Sequence, residues 1–304
     1  MELLHWLQDI RIPILDELFL LITHLGEETA FLVIALIIFW CVDKRQGYYI
    51  LSIGFIGTVL NQFLKLAFHI ARPWVKDPTL QPVAGSVAEA TGFSFPSGHT
   101  QSSVTTLGGI GLMNRQKWLR ITMAVLCVLV PFSRLYLGVH TPADVGVSLV
   151  IAIVLLFAVR PVFTTEKNTP FYILMGIMIA MAVGLCAYVH LWEFPQEVQG
   201  DNLIHGTESA YTLLGAVLGL PAVYFVDQKL LHFHTEAPWY LQIAKVALGL
   251  ALVLAVKSGL KVPLNMLLGE LSGRAVRYFL TVLTAGCLCP WIFGFITRGK
   301  KCSY

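Results

Sequence analysis

Charge is what this sequence has least of. Asp, Glu, Lys and Arg together make up 13% of its 304 residues, about half the share usual in a soluble domain. Apolar residues reach 56% and mean hydropathy is +0.72, more apolar surface than a water-soluble fold of this length hides. The net charge of +3 is small and dispersed, which excludes the basic patch a nucleic-acid partner needs. The start, Met1 to Gly26, has no basic n-region and carries Glu2, Asp9, Asp16 and Glu17, which argues against a cleaved signal peptide. Metal-binding cysteine spacing is missing too. Cys41, Cys127, Cys186, Cys287 and Cys289 fall within apolar runs and Cys302 lies in the tail. Cys287 and Cys289 are one residue apart with no companion pair, the wrong arrangement for zinc. No metal and no other cofactor is expected. Paired repeats with broken helices around a midplane site, the pattern of a transporter, are also absent.

What is present is a series of long apolar runs. Segments of roughly membrane-spanning length fall at about 27–43, 46–69, 98–113, 118–137, 141–163, 171–193, 209–228, 239–260 and 275–297. They predict an all-α, polytopic transmembrane bundle of about nine spans. Leu15 to Leu25 is apolar but short and broken by charge, which suits a half-buried interfacial helix. The run 98–113 is rich in Ser, Thr and Gly, residues that permit close helix contact inside a bundle.

Lys and Arg set the orientation. Lys44, Arg45, Arg115, Lys117, Arg120, Arg160, Lys167, Lys229, Arg298, Lys300 and Lys301 all fall on one side, expected to be the cytoplasm. Lys257, Lys261, Arg274 and Arg277, beside the last two spans, break the pattern on the other side.

Three short blocks carry the chemistry: Lys65-x6-Arg72-Pro73, then Pro96-Ser97-Gly98-His99, then Ser133-Arg134-x5-His140-x3-Asp144. Pro73 disfavours helix at Arg72 and places it where the helix gives way to loop. Arg grips phosphate oxygens in a fork and Lys adds a point charge. Ser97 is positioned to cap the helix that follows, leaving N–H groups near Gly98 and His99 to face an anion. Thr141 and Pro142 read as cap and first helical residue, which brings His140 and Asp144 within reach on one face. An aspartate on one ring nitrogen leaves the other as a nucleophile. The predicted crossings bring the ends bearing Lys65 and Arg72, His99, Arg134, and His140 to the same, extracytoplasmic, face. Three cations, two histidines, a hydroxyl and a carboxylate are the inventory for holding and attacking a phosphate without a metal.

These blocks resemble the signature of the type 2 phosphatidic acid phosphatase superfamily, which includes lipid phosphate phosphatases, glucose-6-phosphatase and the vanadium haloperoxidases. The likeness covers roughly Leu18 to Phe163, with every signature position filled, and the span layout is similar to glucose-6-phosphatase. The resemblance implies that His140 is the nucleophile, His99 the general acid, and Asp144 the residue orienting His140. It implies that Lys65, Arg72, Ser97, Gly98 and Arg134 hold the phosphate, that no metal takes part, and that vanadate inhibits.

The expectation is an integral membrane phosphatase, with residues 1–195 as the catalytic core and 196–304 as additional transmembrane helices. Its expected partners are the bilayer and a lipid phosphate monoester or diphosphate, met at the extracytoplasmic face of the cell membrane. A lipid-linked phosphotransferase or a sugar-phosphate phosphatase would use the same residues. A transporter or a catalytically silent lipid-binding scaffold would not need them. Among the other polar residues, Lys245 inside the eighth span suits a snorkelling or headgroup-contacting cation, with pairing to a partner the sequence does not identify as the alternative. Asn61 and Gln62 suit interhelical hydrogen bonds, and His190 and Glu193 a solvated span end. The 73–95 connection suits a cover over the site.

Overall fold

The fold is a set of fourteen α-helices in a computed structural model that describes residues 1–297 except Glu89 and Glu197. Arg298, Lys300, Lys301 and Cys302 lie outside the described residues. The helices are α1 (Glu2–Asp9), α2 (Pro13–Thr23), α3 (Glu28–Cys41), α4 (Lys44–Phe68), α5 (Pro73–Lys76), α6 (Gly98–Met113) and α7 (Lys117–Tyr136). They continue with α8 (Pro142–Thr164), α9 (Thr169–Leu191), α10 (Asp201–Val226), α11 (Trp239–Gly259), α12 (Lys261–Leu268), α13 (Glu270–Leu283) and α14 (Cys289–Thr297). Among the described residues there is no strand.

Among the described residues, seven helical stretches are long and apolar enough to cross a membrane: Lys44–Lys76, Lys117–Tyr136, Pro142–Thr164, Thr169–Leu191, Asp201–Leu231, Trp239–Leu268 and Glu270–Thr297. The other two expected spans are helices too, but shorter: α3 has 14 residues and α6 has 16. The stretch Pro13–Gly26 meets α3 at a 55° bend. Helix α2 is half-buried, with Ile14 and Leu21 outward while Phe19 packs on Tyr136 and Phe132.

The chain divides into two compact units. One comprises Met1–Ile34, Tyr49–Thr164 and Glu193–His205. Its centre is α6, which packs chiefly on α7 and α8. That helix is polar by composition yet buried at Thr100, Gln101, Ser103, Thr105 and Thr106. Three of its hydroxyls bond back to the helix itself: Ser103 donates to the Thr100 carbonyl at 3.2 Å, and Thr105 and Thr106 to the carbonyls of Gln101 and Ser102 at 2.8 and 2.7 Å. Short side chains bonded back to their own helix present little bulk and no open polar group, so neighbours approach closely. Helices α4 and α8 are joined by the Tyr49 hydroxyl, which donates to the Leu156 carbonyl at 2.6 Å.

The eight-residue α1 is too short to persist alone. It is held by Leu4 and Leu7, both essentially fully buried, each contributing about 1.5–3 kcal/mol by apolar burial. His5 reaches Asp77 at 2.8 Å, and Gln8 accepts from the Gln81 N–H at 2.7 Å. Arg11 donates to the carbonyls of Tyr136 and Gln81. This N-terminal helix therefore fastens the 77–83 loop.

The second unit comprises Ala35–Tyr48, Thr165–Trp192 and the described residues from Gly206 onward. Two π-helical turns, Asp227–Leu231 and Thr284–Leu288, interrupt its helices. The Trp40 indole N–H donates to the Ala285 carbonyl in the second of them at 2.8 Å. Buried Asp227, in the first, accepts from Lys44 at 2.6 Å and from the Phe233 N–H at 2.8 Å. Lys245 is fully buried rather than snorkelling: its Nζ donates to the Thr235 carbonyl at 2.8 Å and lies over the rings of Phe233 and Phe293. His190 is hydrogen-bonded to Tyr211 at 3.0 Å.

Gly54 on α4 faces the Phe31 ring so closely that a Cβ there meets ring carbons at 2.2 and 2.4 Å. Gly54→Val is expected to cost about 1–3 kcal/mol by overpacking and to lower the unfolding temperature in detergent. Gly176→Ala, where nothing lies within 4 Å, should leave it unchanged; equal effects would refute the α3–α4 packing.

Candidate active site

Helix α4 ends at Phe68, just short of His69, which has φ +37°, so the chain leaves the helix between Lys65 and Arg72. Arg72 is extended, with Pro73 opening α5 behind it. The residue is 6% exposed, and removing such a charge from water costs several kcal/mol unless its N–H groups are bonded. They are: Nε donates to Gly92 O at 3.1 Å, Nη2 to Thr91 O at 2.7 Å, and Nη1 to Val139 O at 3.1 Å. Nη1 also lies 3.0 Å from Nε2 of His140. Lys65 donates to the Phe93 carbonyl. The two cations of the first block thus hold the 91–93 segment, and Trp74 lies against Arg72. That is how the 73–95 connection reaches the site.

Ser97 caps α6 as its position predicted. Its hydroxyl oxygen accepts from the Thr100 hydroxyl at 3.0 Å and, more weakly, from the Thr100 N–H at 3.4 Å. A Cβ on Gly98 would meet only Asn61 Oδ1, at 3.8 Å, so no protein neighbour requires glycine there. Asn61 donates to the Pro96 carbonyl at 3.4 Å, a contact with the second block itself. His99 follows at the first turn of α6, and its backbone is pressed by Gly26, where a Cβ would lie 2.8 Å from the His99 carbonyl oxygen.

The third block closes the site. Arg134, in the last turn of α7 and 1% exposed, donates to Thr23 Oγ1 at 2.7 Å. Ser133 bonds back to the Val130 carbonyl and serves its own helix. Thr141 and Asp144 form a reciprocal capping box at the start of α8. The Thr141 N–H donates to Asp144 Oδ2 at 2.7 Å, and the Asp144 N–H to Thr141 Oγ1 at 3.3 Å. Ser94 donates to the same Oδ2 at 2.6 Å. Nδ1 of His140 sits 3.5 Å from that oxygen, an ion-pair separation longer than a good hydrogen bond. The carboxylate thus faces the ring but is held mainly by the backbone and Ser94.

These contacts fix the ring's tautomer. A guanidinium has only donors, so Nε2 of His140 offers Arg72 a lone pair and the neutral ring carries its proton on Nδ1, toward Asp144. Burial, reinforced by Arg72 and Arg134, pushes protonation of His140 well below the ordinary histidine range. Arg72, Arg134 and Lys65 lie within electrostatic reach of both histidines. All eight residues singled out by the three blocks belong to one unit. Thr23, Gly26 and Ser94, which support Arg134, His99 and Asp144, carried no signal of their own. Ser94 stands beside the second block, but a lone serine two residues from a motif is no marker.

Residues 45–168 match the family described as PAP2 superfamily, and residues 211–300 match the PAP2 superfamily phosphatase transmembrane extension. Phosphatidylglycerophosphatase B of Bacillus subtilis is 30% identical over 164 residues, 50% of this chain and 76% of the relative. The chain belongs to the PAP2 superfamily. Undecaprenyl-diphosphatase BcrC of Bacillus subtilis is 30% identical over 146 residues, covering 47% of this chain and 72% of the relative. Undecaprenyl-diphosphatase of Sulfolobus acidocaldarius is 30% identical over 140 residues, covering 44% and 64%. No solved structure matches. The protein is thus an integral membrane PAP2 phosphatase, a hydrolase of phosphoric esters, and the resemblance drawn from its three blocks is borne out.

Imidazole 15N spectra, with the His140 signal assigned by its loss in His140→Ala, are expected to show a neutral ring protonated on Nδ1 from pH 7 down to pH 6. An imidazolium, or a proton on Nε2, at pH 7 would overturn the tautomer assignment.

Proposed function

We propose that this PAP2 enzyme removes the terminal phosphate of a membrane lipid phosphate or diphosphate through a phosphohistidine on Nε2 of His140. The observation that carries the reading is the lone pair of a buried, neutral His140 set among Arg72, Arg134 and Lys65. Such a nitrogen attacks phosphorus without first losing a proton, and the cations neutralise charge that spreads over the equatorial oxygens. The phosphate also accepts the Nη1 hydrogen bond of Arg72 in place of the ring, which is thereby released. Ser97, Gly98 and the first N–H groups of α6 form the rest of the cradle, which explains a glycine that no protein neighbour demands.

In the first step the Nε2–P bond forms and the bond from phosphorus to the leaving oxygen breaks. His99, which takes up a proton as the anionic phosphate offsets the neighbouring cations, gives it to that oxygen. Asp144 stabilises the positive charge that develops on the His140 ring. In the second step His99 takes a proton from water, whose oxygen attacks phosphorus. Inorganic phosphate leaves and His140 is regenerated. Splitting the hydrolysis in this way replaces one difficult displacement by two easier ones.

Two relatives are named for undecaprenyl diphosphate and one for phosphatidylglycerophosphate, which supports a lipid substrate whose tail stays in the bilayer. The distribution of Lys and Arg supports an active site on the extracytoplasmic face of the cell membrane.

Phosphate release by purified protein from a panel of lipid phosphates, with glucose 6-phosphate alongside, tests the reading. Release from a lipid, abolished together with covalent 32P labelling in His140→Ala, is expected; wild-type-like turnover in the variant would remove His140 as nucleophile. Chelators should leave the rate intact. His99→Ala should slow alkyl phosphates by 100-fold or more on the scale of general acid catalysis, and activated aryl phosphates far less. Equal losses on both would contradict the general-acid role.

A further inference from the structure

Four cations, Lys257, Lys261, Arg274 and Arg277, break the charge asymmetry of the sequence, and all lie in the α11–α13 hairpin. The PAP2 chemistry makes no use of them. Arg274 has an obvious role: its Nη2 lies 2.5 Å from Glu208 Oε1 on α10. Arg277, one turn later on the same helix, has no such partner. It is 5% exposed, its Nε is buried without a hydrogen bond, and among the described residues no carboxylate or carbonyl accepts from it. Its Cζ lies 5.4 Å from the centroid of the Tyr278 ring. Lys257, reaching across from α11, lies over the same ring at 5.8 Å.

A buried guanidinium with no acceptor is unstable by several kcal/mol. The fold deals differently with its other deeply buried cation in this unit, since Lys245 has the Thr235 carbonyl. Its Nε is enclosed, so the end of the Arg277 guanidinium still open to the outside is the pair Nη1 and Nη2. The missing acceptor must therefore come from outside the chain, and it must be an anion at the depth of Arg277.

Helix length gives that depth. The stretches Trp239–Leu268 and Glu270–Thr297 are 30 and 28 residues long, or about 42–45 Å at 1.5 Å per residue. A hydrocarbon core is only about 30 Å thick, so about 12–15 Å of the hairpin extends beyond it, shared between its two ends. Arg277 is seven residues into α13, about 10 Å along its axis. That puts Arg277 within a few ångström of the boundary where acyl chains give way to headgroups, within reach of its long side chain, and the anion found there is phosphate.

We propose that Arg277, with Lys257 and the face of Tyr278, binds the phosphate of an anionic phospholipid at the N-terminal end of α13. The site lies within the transmembrane extension and gives that segment a role of its own. Arg277 supplies the forked donors and Lys257 a second, exposed charge. The Tyr278 ring keeps both side chains over one point.

The full-length protein, delipidated in neutral detergent, is titrated separately with phosphatidylglycerol, phosphatidylcholine and inorganic phosphate. Retained lipid is read by native mass spectrometry and stability by thermal unfolding. Phosphatidylglycerol should be retained and should raise the unfolding temperature, with phosphatidylcholine at least tenfold weaker. Arg277→Gln should weaken phosphatidylglycerol about tenfold, and Arg277→Lys less. Lys257→Gln, at an exposed position that does not endanger folding, should weaken it about threefold. Turnover of a short-chain phosphate ester should stay at the wild-type level in all three. Stabilisation by inorganic phosphate alone, equally dependent on Arg277, would make the ligand a free anion and overturn the lipid assignment. Wild-type retention of phosphatidylglycerol in both Arg277→Gln and Lys257→Gln would overturn the site. Repeating the titration in His140→Ala keeps the two readings separate, because lipid retention there should be unchanged whatever becomes of turnover.

Discussion

The catalytic unit is organised by the difficulty of burying a guanidinium. Arg72 is almost wholly withdrawn from water, and it persists there because Thr91, Gly92 and Val139 each turn a carbonyl toward it. Those three carbonyls belong to segments that would otherwise have little reason to meet. The loop after α5 and the turn before α8 are brought to one point by a single side chain. Lys65 repeats the arrangement on Phe93, and the N-terminal helix fastens the far end of the same loop through Gln8 and Arg11. Placement of the loop thus follows from solvation of the cations.

The carboxylate works by the same economy of groups. Asp144 closes a capping box with Thr141 and accepts from Ser94. Its carbonyl receives the N–H of Ser97 at 3.2 Å and the hydroxyl of Ser148 at 2.9 Å. The beginnings of α6 and α8 are therefore tied through one residue, which also faces the ring of His140. A cap contributes about 1 kcal/mol, little on its own account. Its value here is positional, since the two helix starts and the ring share a reference point.

Much of this was legible in the sequence because it is written in short-range spacing. Pro73 after Arg72, Ser97 before an apolar run, and Thr141-Pro142 before another all predicted helix ends that the structure has. The convergence of the three blocks followed from the parity of the crossings. What escaped was long-range. Thr23 meets Arg134 across 111 residues and Ser94 meets Asp144 across 50, and neither residue type is distinctive. Gly26 was equally silent, since only the approach of the His99 backbone shows why a side chain there would interfere. For Lys245 the less favoured alternative, a partner within the chain, is the one the structure has, for a related reason. Its partner is a carbonyl ten residues away, not a charge, so composition alone suggested a cation turned outward. The span count also differed in detail: α3 and α6 are helical as expected, but hydropathy does not register that a short helix can sit within a bundle.

The contact between Arg72 and the lone pair of His140 has a consequence for selectivity. A buried, unprotonated imidazole is a soft target for alkylating and acylating agents of many kinds. Here the guanidinium occupies the very electron pair such agents would seek. A neutral electrophile offers Arg72 nothing in exchange, whereas an anion offers it a stronger acceptor and uncovers the nitrogen as it docks. On the proposed chemistry, recognition and unmasking are one event, and the resting enzyme is protected from electrophiles that carry no negative charge.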